Sequence, residues 1–324
     1  MSATLPLVDL DDVPPRAFAR ALVRHGAAQI RSSRLRADDA QATLDDAAAF
    51  FSLSDAAKDA IHIRHSPHFR GYSVMRNARD FREQIHFGRE RHADGSSPPW
   101  RTLSGPNLWP DVAGLRSRAL RWMQTVEHLA NTCLAKLATA FALHDDAFVG
   151  RGEPYLLTKW IHYDAQPSPT TRPGVAPHLD FSLLTLTLQD DVGGLEVRSR
   201  NGRWIGVEPI PATLLVHVGE VLAFTTGQRL VATPHRVVNR SMQRARVSVP
   251  VFVCPDLRAT VTPLLPLRRS RRRSVDALAD GAGDRHVHHV LAPDAVQPFH
   301  FGEAEWQRKG RNVWCATCVG QTER

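Results

Sequence analysis

The chain has 324 residues, 43% of them hydrophobic, enough to fill a sizeable core. No run approaches the roughly 18 apolar residues of a membrane helix, the N-terminus MSATLPLVDLDDVPP lacks a basic start and an apolar signal core, and Cys133, Cys254, Cys315 and Cys318 are too few and scattered for a disulfide framework, so a reducing cytoplasm is the expected compartment. Lys and Arg (41) exceed Asp and Glu (33) by a formal +8, but the arginines are spread along the chain and no nucleic-acid-binding motif accompanies them, which argues against a nucleic-acid partner. Residues 4–10 read as a strand, 15–25 as a helix stopped by Gly26, and 27–30 as a second strand. Ala37 to Phe51 is helical, Ser54 is placed to cap a further helix, and 64–107 is rich in Pro, Gly, Arg and His and reads as irregular. From about Val112 to Leu143 apolar residues recur at three- and four-residue intervals, predicting a long helix.

After Glu153 the pattern changes to short β-type runs, at Tyr155–Tyr163, Ser182–Gln189, Leu195–Val197, Thr213–Val218, Val221–Phe224 and Arg246–Val253, punctuated by glycine turns. A barrel or jelly roll follows. The expected division is a helical region over 1–150 and a β core with a C-terminal tail over 151–324, packed as one integrated unit. The Arg268–Arg273 run reads as a solvated loop.

In a strand, His178 and Asp180 project from one face two positions apart. His235, on a later segment, supplies a third candidate ligand. Two imidazoles and a carboxylate on one side of a metal leave open positions, as Fe(II) oxygenases require. With 16 histidines in the chain, a His-x-Asp pair alone is more often surface chemistry or a core hydrogen bond. Arg246-x-Ser248, beginning eleven residues after His235, changes that balance: a guanidinium and a hydroxyl on one face suit a carboxylate. A metal triad beside an anion clamp describes a site for a dicarboxylic oxo-acid.

With these motifs in order, the chain resembles the isopenicillin N synthase-like branch of the 2-oxoglutarate/Fe(II) dioxygenases over essentially its whole length. LPLVDL, RHGAAQI, FFSLSDAAKDAI and DFREQIHFG are similar to the family's N-terminal half. KWIHYDA, PHLDFSLLTLTLQDDVGGLEV, TPHRVVN and RARVSVPVF are similar to its double-stranded β-helix core. The resemblance implies a mainly β fold with α, a jelly-roll core wrapped by the helical N-terminal half. It implies Fe(II) on His178, Asp180 and His235, and 2-oxoglutarate held at its distal carboxylate by Arg246, Ser248 and Tyr163, with O2 as oxidant. The product side would be succinate, CO2 and a hydroxylated, desaturated or cyclised small molecule, in secondary metabolism or amino-acid modification. Retention of Asp180 points away from halogenation. Ile161 stands where many plant members carry Asn. QDDVGGLEVR is similar to microbial members, the ethylene-forming type included, although the acidic segment that type carries is not evident after Gly71-Tyr72.

Phe69, Arg70, Tyr72 and Arg79 occupy the region that often covers the active-site mouth in this family, and Arg172 precedes the His-x-Asp segment; all five are candidates for substrate contact. Competing readings are an oxidase that needs no 2-oxoglutarate, an ethylene-forming type, and a non-catalytic jelly-roll binding module. A single Cys315-x-x-Cys318, the loop histidines His286, His288 and His289, and the tryptophans Trp160 and Trp204 read as ordinary thiols, solvated surface and core aromatics.

Overall fold

A computed structural model describes residues 4–93, 97–149, 152–165, 173–238, 243–267 and 297–317, with side chains as far as Lys309 in the last helix. The N-terminal region forms β1 (Leu7–Asp9), α1 (Pro15–His25), β2 (Ala27–Arg31), α2 (Ala37–Phe51), α3 (Asp55–Ala60), β3 (Gly71–Arg76), β4 (Phe81–Gly88) and α4 (Leu115–Ala140). The remainder forms β5 (Tyr155–Tyr163), β6 (Val175–His178), β7 (Leu184–Gln189), β8 (Leu195–Arg198), β9 (Trp204–Gly206), β10 (Leu214–Val218), α5 (Glu220–Thr225), β11 (His235–Val237), β12 (Arg246–Cys254), β13 (Thr260–Val261), β14 (Phe299–His300) and α6 (Phe301–Thr317).

A major sheet runs in the order β1-β2-β10-β7-β12-β5-β4-β3, and a minor sheet in the order β6-β11-β8-β9. Alternation divides the major sheet's side chains between two cores. On β7 the leucines (Leu184, Leu186, Leu188) join Val247, Val249, Val251 and Val253 of β12 in the larger core, which includes the face of α4 carrying Val126, Ala130, Leu134 and Leu137. That face recurs every three or four residues along 26, the spacing an amphipathic helix requires. The opposite, inner face contributes Ala27, Ile161, Tyr163 and Leu215 to a second core, completed from the minor sheet by Val175, Leu195, Val197, Ile205 and Val237. The arrangement is the jelly-roll sandwich expected from the sequence.

Local signals behave as their chemistry dictates. Gly26 terminates α1 at φ 75°, a left-handed conformation that glycine adopts without the Cβ clash other residues would meet. The Ser54 hydroxyl accepts the Ala57 amide hydrogen to cap α3. Three expectations need correction. The segment 64–107 is not irregular throughout: it holds the β3–β4 hairpin, and β4 pairs with β5 from Glu83↔His162 to Gly88↔Leu157. Its alternation escapes a hydrophobicity count because its inner face carries Arg82, Gln84 and His86. Val221–Phe224 lies in a helix, α5, rather than a strand; all six α5 residues are buried, so the run has no period to read. Strand geometry also stops at His178, leaving Asp180 just beyond β6. The Arg268–Arg273 run, His286, His288, His289 and Cys318 lie outside the described residues. Among the described residues, no helix is long and apolar enough to cross a membrane.

Candidate active site

His178 ends β6 and His235 begins β11, and the two are direct partners across that antiparallel pair. Their ring centroids stand 4.1 Å apart. Asp180, 5% exposed, places Oδ1 at 3.6 Å from His178 Nε2 and 3.7 Å from His235 Nε2. One ligand atom from each of the three lies within 4.8 Å of the others. Each histidine ring is tied back to the chain: His178 Nδ1 meets Ala176 O at 2.9 Å and His235 Nδ1 meets Thr233 O at 3.1 Å. A carbonyl can only accept, so the proton resides on each Nδ1 and each Nε2 lone pair points into the cluster. Such a backbone tether is the usual way a metal-ligating imidazole is oriented.

The Thr185 hydroxyl donates to Asp180 Oδ2 at 2.6 Å, leaving Oδ1 free. His217 Nε2 stands 3.5 Å from the same Oδ2, its ring 4.3 Å from that of His235. Burial and the charge of His235 push the His178 imidazole well below its ordinary value, and the same two causes lower His217 to about 3. Burial alone would raise the Asp180 carboxyl, but the three imidazoles and Thr185 outweigh it and hold it below the usual carboxylate range. The cluster therefore offers two imidazole nitrogens and one anionic carboxylate oxygen, a set that fits a divalent cation such as Fe(II). A second group, Glu83, His162 and Asp164, also has close ligand atoms. There, Glu83 already receives the Lys58 ammonium at 3.1 Å and the Tyr72 hydroxyl at 2.5 Å, so its charge is satisfied without an ion.

Arg246, Ser248 and Tyr163 also come together. Arg246 is 1% exposed, and its guanidinium donates to Gly193 O at 2.6 Å, Ser248 Oγ at 3.1 Å and Gln189 Oε1 at 3.3 Å, while lying 5.0 Å from the centroid of the Tyr163 ring. Among the described residues, no carboxylate lies within ion-pair distance of it. A buried guanidinium supported by neutral acceptors retains affinity for an external carboxylate. Ile161, the cross-strand partner of Ser248, packs in the inter-sheet core.

The five substrate candidates divide. Phe69, at φ 56°, packs edge-on to Trp306 of α6 with Lys309 over its ring. Arg70, 1% exposed, is committed to His68 O and Leu103 O, and lines a cavity of about 310 Å³ whose lining includes no cluster residue. Tyr72 is spent on Glu83 and packs near Phe50, away from the inner face. The Arg79 carbonyl accepts from Ala176 N at 2.7 Å, beside the strand that carries His178. Arg172 lies outside the described residues. Trp160 is a core aromatic between Phe50 and Phe87, and Trp204 carries the Arg236 guanidinium at 4.2 Å. Sequence reasoning missed His217 and Thr185; the available signal was a histidine in the otherwise apolar β10 and the first threonine on the polar face of β7.

Known proteins resemble this chain in sequence and in fold. Residues 154–255 match the family model described as the 2OG-Fe(II) oxygenase superfamily. Residues 5–112 match the one described as the non-haem dioxygenase in morphine synthesis N-terminal region. A 2-oxoglutarate-Fe(II) type oxidoreductase of Emericella nidulans is 31% identical over 247 residues, 70% of each chain. A homoarginine-6-hydroxylase of Oryza sativa is 31% identical over 232 residues, covering 66% of this chain and 69% of that one. The crystal structure of a full-length Neurospora crassa protein in complex with alpha-KG superposes with a TM-score of 0.75 at 21% identity, covering 95% of this chain and 96% of that one, a likeness of fold.

Proposed function

The chain belongs to the 2OG-Fe(II) oxygenase superfamily, and we propose that it hydroxylates, desaturates or cyclises a small molecule of secondary metabolism at a metal held by His178, Asp180 and His235. It is an enzyme that uses Fe(II), 2-oxoglutarate and O2. Bound iron supplies the redox chemistry that couples decarboxylation of 2-oxoglutarate, to succinate and CO2, with oxidation of the substrate. The protein's own part is to hold and to shield. His178 and His235 present Nε2 because their Nδ1 protons are engaged, and Asp180 presents Oδ1 because Thr185 holds Oδ2. Arg246, with Ser248 and Tyr163 beside it, receives the distal carboxylate of 2-oxoglutarate. No side chain needs to act as a general base.

The observation that carries this reading is the pairing of an oriented His–Asp–His cluster with a buried guanidinium that, among the described residues, has no carboxylate partner of its own. Asp180 fills a metal corner that a halide would otherwise need, which favours hydroxylation, desaturation or ring closure over halogenation. Hydroxylation is also the reaction named for the rice relative. The test is succinate formed per O2 consumed, with Asp180→Ala as control. The unaltered enzyme is expected to release succinate, and the variant to lose metal affinity by more than about a hundredfold. Full turnover in Asp180→Ala would overturn the ligand assignment. Substrate oxidation without succinate would instead indicate an oxidase that draws its electrons from the substrate.

A further inference from the structure

We propose that Lys159 and His86, on the inner face of the major sheet, form the subsite that receives a carboxylate of the primary substrate. The inference rests on the function proposed above, since it names what that site recognises. His86 and Lys159 are direct partners across the β4–β5 pair, and Gln84 pairs in the same way with Ile161, a residue of the inter-sheet core. All four side chains therefore project toward the interior that holds the His–Asp–His cluster.

Lys159 is close to that cluster. Its ammonium lies 5.1 Å from the centroid of the Phe252 ring; Phe252 is the cross-strand partner of Thr185, and Thr185 donates to Asp180. Among the described residues, the ammonium has neither a carboxylate nor a hydrogen-bond acceptor. His86 is 8% exposed, and neither ring nitrogen has a partner; Gln84 Oε1 and Arg82 Nε on the same face are also unpaired. Buried polar atoms left unsatisfied are rare in folded proteins, so four on one strand face mark a place prepared for something else to bind. The nearby charge has a definite sign. Arg82, Lys309 and Arg308 lie within electrostatic range of Lys159, and among the described residues the carboxylates paired with them are Asp80, on Arg82, and Glu305, on Arg308 and Lys309. Burial and these like charges push the Lys159 ammonium down to about 7, an imbalance that a bound anion would relieve. One ammonium and a neutral imidazole match the two oxygens and single charge of a carboxylate better than a phosphate.

Anaerobic enzyme loaded with Fe(II) and 2-oxoglutarate can be titrated calorimetrically with matched pairs: acetate and acetamide, hexanoate and hexanamide, phenylacetate and phenylacetamide. At least one acid should bind about tenfold or more tightly than its amide. Lys159→Met should abolish the preference, and Lys159→Arg should retain it. The same titration with 2-oxoglutarate alone, followed by its visible charge-transfer band, should give Lys159→Met an affinity within about twofold of the parent. A tenfold loss there would mean that the co-substrate's carboxylate occupies the site, which overturns the proposal. Lys159→Met should also melt at a higher temperature than the parent, because it removes an unpaired buried charge; a lysine with a purely structural role would do the reverse. No acid preferred over its amide, or a preference that survives in Lys159→Met, would overturn the subsite. Absence of the charge-transfer band from the unaltered enzyme would instead count against the 2-oxoglutarate site itself.

Discussion

Asp180, Thr185 and His217 show how the surroundings of a ligand set its charge. His217 is almost wholly buried, with an imidazole pushed from 6.5 to about 3, so the folded chain resists a proton that the unfolded chain accepts. Above pH 6.5 both states are neutral and the group is indifferent; as pH falls toward 3, the unfolded state gains the proton first and stability declines. Asp180, held low in the fold, acts in the same direction in the carboxylate range. Metal-free protein should therefore lose on the order of 2–4 kcal/mol between pH 6.5 and 3, and His217→Asn should flatten that slope. Denaturant melts across that pH range measure it, and stability rising with acidity would contradict the assignment. At the clamp, Arg246→Lys keeps the charge but loses the fork that reaches Gly193, Gln189 and Ser248 together. The affinity for 2-oxoglutarate should fall by roughly ten- to a hundredfold, read from the charge-transfer band. His178 and Asp180 stand out in the sequence as a polar pair two positions apart, although β6 ends at His178. Arg246 and Ser248 stand out as a polar pair at true strand spacing on β12, whereas His235 draws notice only beside them. His86 and Lys159 do not stand out, because their significance lies in what they fail to touch, and a sequence does not show missing partners.

Elements with a clear period were read closely. α2 runs from Ala37 to Phe51 and β5 from Tyr155 to Tyr163, as their patterns predict. β4 was missed for a physical reason: it is flanked by strands on both edges, yet its inner residues are the site's polar lining, so its pattern is that of a loop. The same logic separates the two faces of the major sheet. Leu134, on the core face of α4 and 1% exposed, has no role in the site. Leu134→Ala should cost about 2–5 kcal/mol in chemical denaturation while leaving the affinity of folded protein for 2-oxoglutarate unchanged. A parallel loss of affinity would show that the helical layer and the site are more tightly coupled than their separate cores imply.

For the whole molecule, the decisive feature is that residues before 150 supply both flanks of the major sheet. β1 and β2 extend it beyond β10, while β4 and β3 extend it beyond β5. We infer that 1–150 and 151–324 are one folding unit, since a fragment beginning at 151 would bare two long strand edges and the inner ends of a polar site. Expressed alone, 151–324 should aggregate or elute as oligomers in size-exclusion chromatography; a monomer with a cooperative melt would refute this.

His178 and His235 face each other across a short antiparallel pair although they are far apart in the chain. An ion gripping both imidazoles would rivet that pair and close a long loop, constraining the unfolded chain as a disulfide of similar span does. Unlike a disulfide, the rivet can be withdrawn by a chelator. Metal at a hundredfold excess over its dissociation constant should add about 2.7 kcal/mol to unfolding, and EDTA should remove it. Iron supply would then govern how long each copy of the chain survives as well as how fast it turns over.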